Sequence, residues 1–223
     1  MICQQFDGGD EEECFERFVT ALQRQPWVVV QDALPPVLAE ALFARVRAMK
    51  PADFIAAGIG RSADHMLNQF VRRDQIRWIE GLDDTELAWL AWCSRLQQYL
   101  NRRLFLGLFS FESHFAHYAP GAFYKKHVDA FKPDQTERGA RRVLSLVAYL
   151  NPAWQSADGG DLVIYDKSSP VPIAKIQPIY GSVALFLSDE VPHEVAPAMR
   201  DRYSIAGWFR VNGSKKDRVD PPS

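Results

Sequence analysis

The residues of this 223-residue chain best equipped for chemistry lie in one stretch, Tyr118-Ala-Pro-Gly-Ala-Phe-Tyr-Lys-Lys-His127-Val-Asp129. On a strand, side chains two apart share a face, so His127 and Asp129 can offer an imidazole nitrogen and a carboxylate oxygen to one cation. Val191-Pro192-His193-Glu194-Val195 supplies a third ligand in His193. Two histidines and one carboxylate leave three coordination positions open, which suits non-haem Fe(II) and O2. An H-x-D pair alone is a weak signal, and a fourth residue strengthens it. Arg202 opens the segment Arg-Tyr-Ser-Ile-Ala-Gly-Trp-Phe. Alternation puts Arg202, Ser204, Ala206 and Trp208 on one face and Tyr203, Ile205, Gly207 and Phe209 on the other. An arginine among small residues has two readings, a satisfied ion pair or a bidentate clamp for a ligand carboxylate. The four residues together favour the clamp.

These side chains need a rigid scaffold, and the second half of the chain has the pattern of one. From Leu104 onward, short β-rich segments recur at 105–118, 143–150, 161–165, 173–176, 182–187 and 202–210, separated by turn residues such as Pro120-Gly121 and Asp158-Gly159-Gly160. Many short strands so punctuated indicate a sandwich or barrel. The first third reads as helical. Glu11–Gln25 carries Phe15, Phe18, Val19 and Leu22 on one stripe and stops at Pro26. After a β-rich run at Trp27–Val30, Pro35-Pro36 opens a second helix with Leu38, Leu42, Phe43, Val46 and Met49 inward. A third helix follows Asp83-Asp84-Thr85. Residues 57–75 have no clean period and read as a long loop or hairpin, a kind of segment more often functional than accidental.

The expected organisation is a single domain: residues 1–103 as helical support with the loop at about 57–75, 104–212 as the β core, and 213–223 as a flexible tail. Twenty-six basic residues against 28 acidic ones give a net charge of −2, so no bulk basic field draws the chain to nucleic acid or membrane. No apolar run approaches the ~18–20 residues of a membrane span. Met1–Glu13 lacks the basic start and apolar stretch of a signal peptide. Cys3, Cys14 and Cys93 are scattered, with no C-x-x-C pair, which disfavours a disulfide framework or thiolate zinc site. A cytosolic protein is expected.

The H-x-D…H…R order, the Tyr-x-x-Gly lead-in at Tyr118, the Gly159-Gly160-x-Leu162 turn and the Pro-His-Glu-Val segment resemble the Fe(II)- and 2-oxoglutarate-dependent dioxygenases. The closer likeness is to the prolyl hydroxylase domain branch, which includes the oxygen sensors acting on hypoxia-inducible factor and their bacterial relatives. It is strongest over about residues 105–210 and extends more weakly through Gly60–Trp78. The final strand is also similar to fungal enzymes that hydroxylate a ribosomal-protein proline.

The resemblance implies a mainly β fold with some helix, a double-stranded β-helix (jelly-roll) core with the N-terminal helices packed on one sheet. It implies that His127, Asp129 and His193 bind Fe(II) and that Arg202 pairs with the distal carboxylate of 2-oxoglutarate. Tyr149 would hydrogen-bond that carboxylate, and Tyr118, Leu162 and Trp208 would line the cosubstrate site. Tyr118 stands one residue nearer His127 than in the animal oxygen sensors. The implied reaction consumes O2 and 2-oxoglutarate, releases succinate and CO2, and hydroxylates a C–H bond, with ascorbate as a reductant. The implied partner is a proline-containing protein or peptide, with elongation factor Tu the first candidate and a ribosomal protein the second. Retention of Asp129 disfavours halogenation, for which related enzymes have a small residue there.

Other residues carry competing readings. His114 and His117 fall three apart on a predicted strand, hence on opposite faces, and cannot share one ion. His65 reads as solvated. Arg61, Arg72, Arg73 and Arg77 are either a solvated face or a substrate grip, and the same choice applies to Lys125 and Lys126. Trp208 reads as a wall of the site, while Trp89 and Trp92 read as packing residues. Three rival functions remain. One is a dioxygenase of a small molecule or of alkylated nucleic acid; for the latter, Trp208 replaces the second arginine of R-x-x-x-x-x-R. The others are a non-catalytic oxygen or 2-oxoglutarate sensor, and a cupin-like metal protein in which Arg202 would lack a purpose.

Overall fold

Local chemistry sets the helix ends in the computed structural model, which describes residues 8–57, 70–129 and 141–212. Helix α1 (Gly8–Leu22) begins and ends three residues earlier than the periodicity predicts. Gln23–Gln25 instead form a turn, with Arg24 N and Gln25 N both bonded to Ala21 O, as the restriction imposed by the following proline demands. After strand β1 (Trp27–Val30), α2 (Pro36–Ala48) opens on a proline that needs no N–H partner. Helix α3 (Asp84–Leu104) is capped by Asp83, whose carboxylate accepts from Glu86 N at 2.9 Å. Among the described residues no helix is long and apolar enough to cross a membrane.

The remaining strands are β2 (Ile55–Ala56), β3 (Gln75–Trp78), β4 (Leu108–Tyr118), β5 (Tyr124–His127), β6 (Arg141–Tyr149), β7 (Leu162–Tyr165), β8 (Pro172–Ile176), β9 (Val183–Leu187), β10 (His193–Val195) and β11 (Arg202–Val211). They form two antiparallel sheets, in the orders β1-β9-β6-β11-β4-β3-β2 and β5-β10-β7-β8. This is the expected mainly β architecture, consistent with a jelly-roll core. Part of the expected loop at 57–75 is ordered: Ala57 N bonds to Asp74 O, Arg72 bridges to Tyr124, and Gln75 opens β3, which pairs with β2 and β4. Its residues 58–69, including Arg61 and His65, lie outside the described residues, as do Cys3 and the tail at 213–223.

Alternation divides the interior in two. Leu144, Leu146, Ala148, Val183, Leu185, Ile205 and Phe209 send one face of the large sheet against Phe18, Leu42, Trp89, Trp92 and Leu96 of the helices. Trp89 and Trp92 stack at 5.6 Å and are fully buried, in the packing role predicted for them. The opposite face meets the small sheet through Ile76, Tyr118, Tyr149, Phe186, Leu162, Ile164, Val191 and Val195. At about 25 cal/mol per Å² of apolar surface removed from water, both layers favour folding. Only the second layer carries the candidate chemistry.

Candidate active site

The sequence places His127 and Asp129 on one strand; the structure does not. His127 is the last residue of β5, and Asp129 lies beyond it in a bend. Two pairings assemble the cluster instead. His193, the first residue of β10, is in register with His127. Asp129 N donates to Ser188 O at 3.0 Å, and Ser188 N to Val143 O at 2.9 Å, which ties the bend to the end of the large sheet. The three side chains therefore gather where the two sheets meet. Alternation fails here because the strand has already ended.

One ligand-type atom from each of His127, Asp129 and His193 lies within 4.8 Å of the others. His127 Nε2 is 3.5 Å from Asp129 Oδ1, and His193 Nε2 is 3.8 Å from Asp129 Oδ2. Each imidazole donates through Nδ1 to a backbone carbonyl, His127 to Lys125 O at 2.8 Å and His193 to Val191 O at 3.0 Å. A carbonyl only accepts, so Nδ1 carries the proton and Nε2 keeps its lone pair for a cation. Burial depresses the His193 pKa to about 4, with His127 beside it acting the same way, so the ring is neutral at pH 7. Burial alone would raise the Asp129 carboxyl, but His193 and His127, with a smaller contribution from Arg142, hold it well below the usual carboxylate range. Ser145 Oγ donates to Asp129 Oδ2 at 2.7 Å and sits 2.9 Å from Ser188 Oγ. The cluster offers two imidazole nitrogens and one carboxylate, a donor set suited to a divalent metal.

Arg202 is 1% exposed and pairs across the ladder with Tyr118. Its Nε donates to Gly160 O at 2.8 Å and its Nη1 to Ser204 Oγ at 3.2 Å. Both partners are neutral, so the ion-pair reading gains no support from them. The guanidinium lies 5.0 Å from the Tyr118 ring centre and 5.4 Å from that of Tyr149. Arg202 Nη2 and Tyr149 Oη are both buried without a hydrogen-bond partner. Leaving such groups unmatched costs about 1–3 kcal/mol each, so one orphan donor on Arg202 and one on Tyr149 mark a place for an anionic acceptor. Burial raises the phenols of Tyr118 and Tyr149, keeping both protonated. Leu162 is buried between the sheets with these tyrosines.

Trp208 stands opposite Ser145 on one side and Glu112 on the other. Arg142 covers its ring at 3.6 Å, and His114 and half-exposed Trp78 pack against it. It is thus near the Asp129 support and also packed. His114 and His117 face opposite ways as predicted: His114 is buried beside Trp78 and Trp208, while His117 contacts Asp201 at 2.7 Å. The predicted basic group is largely engaged. Arg72 pairs with Asp74 at 2.6 Å, Arg77 with Glu86, and Arg73 lies over the Phe123 ring. Lys126 donates to Ser169 O. Sequence reasoning missed Ser145 and Tyr124. Ser145 had a legible signal, a lone hydroxyl inside an apolar strand on the face of Tyr149.

A family profile described as the 2OG-Fe(II) oxygenase superfamily matches residues 113–210. A solved prolyl-4-hydroxylase from Pseudomonas putida is 37% identical, with a TM-score of 0.76, and is matched over 90% of this chain and 100% of its own. A Trichoplax adhaerens prolyl hydroxylase, solved with a peptide of the hypoxia-inducible factor oxygen degradation domain, is 25% identical at TM-score 0.76, over 92% of this chain and 94% of its own. Human Egl nine homolog 1 is 25% identical over 203 residues, which are 87% of this chain and 46% of that protein; the chain spans about half the length of the curated relatives it matches. The chain belongs to the 2OG-Fe(II) oxygenase superfamily, and the two solved relatives described above are prolyl hydroxylases.

Proposed function

We propose that this chain is a 2-oxoglutarate-dependent dioxygenase that hydroxylates a prolyl residue of a protein substrate. The observation carrying this reading is the pairing of a His127–Asp129–His193 cluster with a buried guanidinium and phenol that lack an acceptor. The donor set fits Fe(II), and the orphan donors fit the distal carboxylate of 2-oxoglutarate. When bound, these groups supply the oxidising power: one atom of O2 leaves in succinate, with release of CO2, and the other becomes the new hydroxyl.

The residues divide the remaining work. His127, Asp129 and His193 hold the cation, and the single carboxylate lowers the net charge of the centre from +2 to +1. Arg202 and Tyr149 orient the cosubstrate from its far end. Tyr118, Leu162, Ile164 and Phe186 give the pocket a dry wall, so each of those polar contacts acts in a low dielectric. Half-exposed Trp78, packed on Trp208, offers an aromatic surface to the substrate. The prolyl reading draws support from the relatives, among them the Trichoplax enzyme solved with a peptide. Elongation factor Tu in the cytoplasm is the first target to try and a ribosomal protein the second, with ascorbate as reductant.

Anaerobic addition of Fe(II) and 2-oxoglutarate should produce a weak visible metal-to-ligand charge-transfer band in the wild type and none in His193→Ala. With that band in hand, a proline-containing loop peptide of the target should gain 16 Da in air, and its proline-to-alanine form should not. Bound iron without a band would exclude the dioxygenase reading and bring the sensor or cupin-like readings forward.

A further inference from the structure

The ring of Tyr124 lies 3.6 Å, centre to centre, from that of His127, at an interplanar angle of 17°. Residues three apart on a regular strand point to opposite faces, so this contact requires an irregularity. The strand pairing supplies one. His193 is opposite His127, but Val195 is opposite Tyr124, so a two-residue step on β10 spans a three-residue step on β5. That extra residue is a β-bulge, a device that re-aims side chains and clusters beside active sites. Here it turns two aromatic rings onto one face.

A cation completes the stack. The Arg72 guanidinium carbon is 4.3 Å from the Tyr124 ring centre. An imidazole at 3.6 Å leaves no room on its own side of the phenol, so the guanidinium takes the other. Asp74, 3% exposed, grips Arg72 with two bonds, Nε to Oδ1 at 2.8 Å and Nη2 to Oδ2 at 2.6 Å. The backbone beside it is laced to β5, with Arg73 N bonded to Phe123 O and Lys125 N to Val71 O. The order is therefore Asp74, Arg72, Tyr124, His127.

We infer that Tyr124, backed by the Arg72–Asp74 pair, is a positioning residue that fixes the plane of the His127 imidazole. The bond from Nδ1 to Lys125 O sets the tautomer and one direction within the ring plane, but leaves rotation about that line open. Stacking closes it, and the two contacts together define where the Nε2 lone pair points. The role requires an aromatic face and makes no use of the phenol hydroxyl. It rests on the reading of His127 as a metal ligand.

Co(II) affinity and its visible ligand-field spectrum, read without turnover, test the inference in wild type, His127→Ala, Tyr124→Phe, Tyr124→Leu, Tyr124→Met and Arg72→Met. Partners of metal ligands govern about 10–100-fold in metal affinity, so the leucine and methionine variants should lose roughly tenfold and shift the spectrum. Tyr124→Phe should stay within about twofold of wild type, and Arg72→Met should fall between them. Melting curves identify any variant that fails to fold, and whichever non-aromatic variant folds decides the question. Wild-type affinity and spectrum in that variant, alongside a clear loss in His127→Ala, would overturn the positioning role while leaving the ligand assignment intact. Equal binding by wild type and His127→Ala would remove the ligand assignment, and the inference with it.

Discussion

The face of the large sheet turned to the helices buries more hydrocarbon than the face turned to the small sheet, and the two treat polar groups in opposite ways. Against the helices, the charged residue Glu86 is fully buried and fully employed, accepting backbone N–H bonds from Glu80, Gly81 and Leu82 at 3.0–3.1 Å and pairing with Arg77. Between the sheets, Arg202 is as deeply buried and keeps a donor unmatched. The first charge completes a fold, whereas the second is left with a donor that nothing in the fold satisfies among the described residues. The helical side is not free of orphans, since Trp92 Nε1 also lacks a partner, but an indole N–H is neutral and costs far less to strand than a guanidinium.

The contrast is best broken by exchanging stability and function readouts. Glu86→Ala strands Arg77 and three backbone donors, so it should cost about 3–5 kcal/mol and lower Tm by roughly 10 °C, with 2-oxoglutarate affinity per folded molecule unchanged. Arg202→Met should do the reverse, with a Tm at or above wild type because no opposite charge is left stranded. Its cosubstrate affinity should fall by about 2–3 kcal/mol, read as loss of the charge-transfer band at matched concentration. Retained affinity would show the arginine to be structural.

A third measurement sharpens the comparison through pH. Burial depresses the His114 pKa to about 4, against about 6.5 in the unfolded chain. The unfolded state therefore binds the extra proton first. Stability is full above pH 6.5 and falls by about 1.4 kcal/mol per unit as pH drops toward 4. His193 contributes with the same sign in metal-free protein, so the difference between wild type and His114→Asn isolates His114. Urea midpoints between pH 7 and 5 should decline less steeply in the variant. The smallest effect is expected from Gly160→Ala. Its φ is +68°, and an added Cβ would lie 3.0 Å from Arg202 Cδ and 3.1 Å from Ala198 Cβ. Left-handed strain of about 1–2 kcal/mol should accompany a severalfold rise in the 2-oxoglutarate concentration needed for half-saturation; a change in stability alone would show that the turn does not position Arg202.

The sequence made the helices and most strands legible because proline, turn residues and apolar periodicity act locally. It also singled out His127, Asp129, His193 and Arg202 by spacing. The support around them was less legible. Ser188 meets Asp129 through the meeting of two sheets, and the Tyr124 stack depends on a one-residue register slip in β5. No local pattern records a slip, because it exists only between strands. The expectation that His127 and Asp129 share a strand failed for the same reason: where β5 ends is decided by its neighbour β10.

The placement of β11 has a consequence in time. The strand that begins with Arg202 lies in the middle of the large sheet, between β4 and β6, although it is the last of the described strands to be made. During synthesis at about 5–20 residues per second, β4 and β6 must wait, each with an open edge, until residues 202–211 clear the ribosome. Such distant pairings make folding slow. A nascent chain of this protein is thus exposed to aggregation for seconds, and the strand that ends that exposure is the one that opens with Arg202. Half-made chains cannot close the sheet, and the buried guanidinium with its unmatched donor arrives only with the last described strand.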